Sequence, residues 1–174
     1  MNESTRETDT MTNRERVIAT LNHQQPDAIP YNVGFTKHAR AAMADYYGDT
    51  GFVSRLGNAL SFLSTEPPGA WREVRVNVWQ DQFGVQWDRS IDKDIGVVCN
   101  QVVTQENLEE AALPDPHAPA RWAGYESALA GADDAFWVCN LGFSLFERAW
   151  TLHGMENLLT AMVAEPGFAH RLLD

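Results

Sequence analysis

Residues 135–143, AFWVCNLGF, are apolar at every position except Asn140, and helical sequence follows at once. A strand with one wet face alternates polar and apolar residues, whereas an unbroken apolar run fits a strand covered on both faces. Such strands belong to parallel sheets flanked by helices, so this segment points to an α/β fold. Its surroundings agree. Before it, residues 117–129 place Trp122, Tyr125 and Leu129 at helical spacing, and Gly131 and Asp133 supply the stop. After it come a turn carrying Glu147 and Arg148, a short helix over 146–150, a helix over 155–163 and a last helix opening at Pro166. Leu152, Met155, Leu159 and Met162 form packing stripes on these helices.

The first third has the same rhythm. Thr12 and Glu15 make a capping box ahead of the stripe Val17, Ile18 and Leu21, and Pro26-Asp27 ends that helix. Residues 29–35 read as a strand with Ile29, Tyr31, Val33 and Phe35 on one face and Asn32 and Gly34 on the other. Thr36 caps a second helix that runs to Tyr47 and stops at Gly48. Between the two α/β stretches Val74, Val76 and Val78 alternate with Glu73, Arg75 and Asn77. After the break Gln80-Asp81-Gln82 the alternation resumes at Phe83, Val85 and Trp87, which predicts a half-exposed antiparallel hairpin. Residues 95–103 are a further strand candidate. The expected organisation is a polar, disordered tail over residues 1–11 and one domain over 12–174.

Composition narrows the partners. The net charge of −11 and scattered basic residues argue against nucleic acid. No run approaches the roughly 18 apolar residues of a membrane span. The N-terminus lacks an apolar signal core, so a cytoplasmic location is expected. Cys99 and Cys139 each lie in an apolar run with no CxxC partner, which predicts buried free thiols rather than a metal site or a disulfide.

Three segments carry a family resemblance. The opening MTNRERVIATLNHQQPDAIP resembles the start of uroporphyrinogen decarboxylase superfamily proteins, where an R-E-R-V helix leads through Pro-Asp into a strand beginning Ile-Pro. DQFGVQWDR and FERAWTLHGMENLL are similar to the decarboxylase-like branch of that superfamily. The resemblance implies a TIM-type (β/α)8 barrel, of which this chain supplies the N-terminal half with an antiparallel hairpin inserted. In such barrels the site lies at the C-terminal ends of the strands.

The resemblance also implies two chemistries. Decarboxylases of tetrapyrrole synthesis hold porphyrinogen acetates with a pair of arginines just after the Ile-Pro strand. Here that place reads Gly34-Phe35-Thr36-Lys37-His38-Ala39-Arg40, without the pair. Corrinoid-linked methyltransferases use zinc held by His and Cys residues of the second half of the barrel, and a corrinoid protein as partner. Methyl transfer is therefore the favoured expectation, and uroporphyrinogen decarboxylation the alternative. No cofactor is assigned to the residues present. A third reading is an inactive or binding-only half-barrel, whose open sheet edges and apolar faces would drive self-association.

Candidate site residues follow from position. Arg148 at a barrel mouth would grip a substrate carboxylate while Glu147 orients it or handles a proton. Asn32 and Asn140 interrupt apolar strands near their ends and are candidate substrate contacts, as is Asp81 in the hairpin break. Asp81 lies outside the decarboxylase motif that holds pyrrole nitrogens, and a turn aspartate is its plainer reading. His38 and His153 fall near expected loop mouths but read first as structural.

Overall fold

The structure, a computed structural model, describes residues 10–130 and 134–174. In chain order the elements are α1 Asn13–Leu21, α2 Lys37–Tyr47, β1 Leu60–Ser64, β2 Arg72–Arg75, β3 Val78–Gln80, β4 Gln86–Asp88, β5 Val97–Val98, α3 Tyr125–Ala130, β6 Phe136–Asn140, α4 Leu145–His153, α5 Met155–Ala164 and α6 Pro166–Leu173. Short 3-10 turns occupy Phe52–Arg55, Leu108–Glu110 and Pro119–Arg121. The fold is mixed α/β. Its strands form a two-stranded sheet, β1-β6, and a four-stranded sheet, β2-β3-β4-β5, and neither closes into a barrel. The chain divides into two compact units, one holding residues 10–63 and 124–140 and the other residues 64–123 and 141–174.

In the first unit local chemistry places α1 and α2 where the sequence puts them, whereas the helix expected over 117–129 shrinks to α3, with a separate 3-10 turn at Pro119–Arg121. The Thr12 hydroxyl accepts the Glu15 backbone N–H, and the Glu15 carboxylate returns a bond to the Thr12 N–H. Asp134 adds a second cap, because its carboxylate and carbonyl accept the N–H groups of Asn13 and Arg14. These bonds satisfy donors that a helix start leaves open. Helix α2 runs from N-cap Thr36 to Gly48, whose φ of +62° closes it in the left-handed region that glycine enters freely.

Two expected strands are corrected here. Residues 29–35 are extended but join no sheet. The Tyr31 carbonyl accepts the Ala59 N–H, and Val33 is held at both backbone groups by the Asn58 side-chain amide. A side chain thus replaces the partner strand, and Ile29 stays 82% exposed. Residues 136–140 do form β6, but with one neighbour, so Cys139 and Asn140 are exposed rather than covered on both faces.

The second unit is an antiparallel meander followed by three helices. The alternation over residues 73–78 is not one strand. Asn77, at φ +61°, and Val76 form a turn that folds β2 back onto β3. Asparagine tolerates that conformation, so the hydrophobic pattern runs straight through a reversal. Trp79 then pairs with Trp87, and Gln80 with Gln86, across β3 and β4. The strand candidate at 95–103 shrinks to β5. Beyond it Asn100 continues the ladder with its side chain, accepting the Gln86 N–H and donating to the Gly84 carbonyl.

The core of this unit is Val85, Trp87, Val103 and Leu152, with Trp71, Phe83, Phe143 and Trp150 packed around it. The Trp87 and Phe143 rings stack at 5.6 Å between centroids. Trp71, Trp87 and Trp150 are packed in this core. Helices α4, α5 and α6 pack on one another, with Leu158 and Phe168 buried between them. No helix of the described residues is long and apolar enough to cross a membrane. The expected stop at Gly131 and Asp133, and residues 1–9 of the expected tail, lie outside the described residues.

Candidate functional site

Two of the candidate residues meet. Asp81 and Arg148, 67 positions apart, form a salt bridge of 3.3 Å from Nη1 to Oδ2 inside the second unit. Asp81 is only 7% exposed. Its place is fixed by the turn between β3 and β4, where the Asp81 N–H donates to the Val85 carbonyl and the Gly84 N–H to the Asp81 carbonyl. Gly84 sits at φ +81°, which this turn needs.

Every oxygen of Asp81 is occupied. Oδ1 accepts the N–H groups of Phe83 at 2.8 Å and Val85 at 3.0 Å. Oδ2 accepts the Trp87 indole N–H at 3.3 Å as well as Arg148. A buried carboxylate is costly unless hydrogen-bonded, and these donors satisfy it. It is also a poor general base, because no lone pair is left facing a substrate. The turn-aspartate reading of Asp81 thus gains a second part: it anchors Arg148.

Arg148 stands in the first turns of α4, its side chain 19% exposed. Its guanidinium lies over the Phe83 ring at 3.8 Å and within 5.6 Å of the Phe143 centroid. Nη1 also reaches the Thr151 hydroxyl at 3.5 Å, and that hydroxyl donates back to the Arg148 carbonyl. Nε is buried with no hydrogen-bond partner among the described residues. Burial pushes the Arg148 pKa below the usual arginine value, and the charge of Asp81 works against that shift. The helix carrying it starts under strain. Leu145 has φ +33°, a region where a side chain is crowded, and Gly142 precedes it at φ +67°.

Comparison with protein-family models, with curated proteins and with solved structures found no match.

The other candidates are not assembled around this pair. Glu147 is exposed in the first turn of α4, where a carboxylate favours the helix dipole. Asn32 and Asn140 belong to the first unit and are exposed. His38 is exposed in α2. His153 is buried, its Nδ1 2.8 Å from the Val103 carbonyl and 3.1 Å from Gln101 Nε2.

The cysteines correct an expectation. Both thiols are exposed, Cys99 beside Arg75 just past β5 and Cys139 beside the Tyr125 hydroxyl in β6, a strand of a two-stranded sheet. Among the described residues no three His, Cys, Asp or Glu side chains are grouped to hold a metal ion. Sequence reasoning missed Trp87, Phe83 and Thr151 as partners of the pair. A signal existed: an aspartate two and four residues ahead of Phe83 and Val85 is spaced for an Asx turn.

Proposed function

We propose that the chain is part of a uroporphyrinogen decarboxylase superfamily (β/α)8 barrel, and that its full-length relative carries out corrinoid-linked methyl transfer. One observation supports the reading. The residues that make the motifs recognisable are bonded to one another. Asp81 of DQFGVQWDR holds Arg148 of FERAWTLHGMENLL, and Arg16 of the R-E-R-V helix holds Asp27 of the Pro-Asp pair through two bonds of 2.7 and 3.1 Å.

Within that reading Asp81 is a positioning residue and Arg148 the cation it fixes. Nε is buried, so within this reading a substrate carboxylate would meet the outer N–H groups of the guanidinium, whose side chain is 19% exposed. Glu147 is the nearest acid along the chain. Asn32 and Asn140 remain candidate substrate contacts. The superfamily reading assigns the zinc donors to the second half of the barrel; when bound there, zinc would activate the acceptor thiol.

The test is a full-length form mixed with methylcobalamin and a thiol. Loss of the methyl–cobalt absorbance, abolished by a zinc chelator, is the expected result. An active enzyme free of zinc that releases carbon dioxide from a porphyrinogen would overturn it and favour decarboxylation.

Exposed apolar surface favours a second reading, association of the chain with itself. Val163 is 86% exposed, and Leu159, Met155 and Met162 are exposed on the same helix. Sedimentation of a single monomeric species across concentrations would refute it.

A further inference from the structure

The turn that anchors Arg148 also walls an open cavity of about 680 Å³, lined among others by Arg72, Gln80, Gln82, Gly84 and Glu110. Its polar groups are biased toward donors. Arg72 Nη2 donates to Gln80 Oε1 at 3.1 Å, and Arg121 Nη2 donates to Gln82 Oε1 at 2.6 Å. An amide whose oxygen is taken by a guanidinium is fixed in orientation and presents its NH2 group elsewhere. Neither NH2 group has an acceptor among the described residues. Gln80 Nε2 stands over Gly84, 3.7 Å from where a Cβ would lie, so the missing side chain keeps that donor uncovered. Arg72 adds a positive charge and further N–H groups. The Asp81 carboxylate offers nothing in return, because its four donors saturate it. Glu110 is the opposing charge, and it is exposed to water.

We infer that this cavity binds a small molecule through a carboxylate group, held by Arg72 and by the side-chain amides of Gln80 and Gln82. Its size suits a small metabolite, and a guanidinium and two amides lining one cavity match the planar, acceptor-only carboxylate. The inference does not rest on the family reading, since its groups are placed by bonds within the second unit, Gln80 by Arg72 and Gln82 by Arg121.

The probes are succinate and its neutral isostere succinamide, titrated calorimetrically into the full chain. Succinate is expected to bind and succinamide not to. Gln80→Glu keeps an acceptor for Arg72, so the thermal midpoint should hold or rise, while succinate affinity falls about tenfold or more as a donor becomes a negative charge. Glu110→Gln should raise succinate affinity several-fold by removing the opposing charge. Arg14→Gln, an exposed change in the other unit, should leave it unaltered. The inference is overturned if succinate fails to bind or succinamide binds equally well. It is also overturned if Gln80→Glu binds succinate like the parent, or if Arg14→Gln weakens it as much as Gln80→Glu does.

Discussion

Replacing Asp81 by alanine tests the centre of the second unit. The carboxylate accepts four hydrogen bonds, from Phe83, Val85, Trp87 and Arg148. A neutral hydrogen bond contributes about 1 kcal/mol net, and breaking a buried ion pair from one side costs about 3–5 kcal/mol. The terms do not add, because water can enter the space left and Arg148, a fifth exposed, can recover some solvation. We expect a loss of about 4 kcal/mol, equivalent to roughly 10 °C in melting temperature for a chain of this size. Guanidinium unfolding followed by tryptophan emission reads it directly, since Trp71, Trp87 and Trp150 lie in the affected core. Asp81→Asn should cost nearly as much. Its oxygen can serve Phe83 and Val85, but its NH2 group would face the indole N–H and the guanidinium.

A double-mutant cycle with Arg148→Met separates pairing from packing. Methionine keeps the apolar contact with Phe83 while removing the charge, so the double variant should be about 2 kcal/mol more stable than the two single losses predict. A cost below about 1 kcal/mol for Asp81→Ala, or strict additivity in the cycle, would refute the reasoning.

Three other outcomes are expected. The Arg16 guanidinium draws the Asp27 pKa down from 3.8 to about 2, so its contribution is fully present above pH 4 and is lost as pH falls through 2; an acid-unfolding titration of Asp27→Asn should lack that segment of the curve. Gly96→Ala should destabilise by about 2 kcal/mol or more in a urea melt, because φ is +90° and a Cβ would lie 2.9 Å from the Asp88 carbonyl oxygen. Leu145→Gly should stabilise by about 0.5–1 kcal/mol in the same melt, since Leu145 is exposed and its φ of +33° is crowded only for a residue with a side chain.

Helices were legible because their signals are local. The Thr12–Glu15 box, the Thr36 cap, Gly48 and Pro166 each act within four residues, and the observed helices begin or end at them. Strands were less legible because pairing is not local. The pattern Glu73 to Val78 alternates as a strand should, yet Asn77 turns it back on itself. At residues 29–35 and beyond β5, the amides of Asn58 and Asn100 make bonds that a neighbouring backbone would make in a regular sheet. Nothing in hydrophobic periodicity distinguishes an asparagine that completes a ladder from one that decorates a loop.

The candidate site shows the same division between local and distant. Position alone marked Arg148, at the start of a helix that follows an apolar strand. Position also marked Asp81, in a break between two alternating runs. What could not be read was that each explains the other. A buried aspartate with four donors and a guanidinium stacked on Phe83 form one unit, in which the acid is spent on holding the base in place. Under the proposed reading, contact with a substrate therefore falls to Arg148 and not to Asp81, whose oxygens are taken. If Arg148 binds a substrate as proposed, substitutions at Asp81 should act on that contact through the salt bridge. A variant such as Asp81→Glu should shift binding of an anionic ligand and its salt dependence together, and a change in a proton-transfer step without that shift would show that the acid does more than hold the arginine.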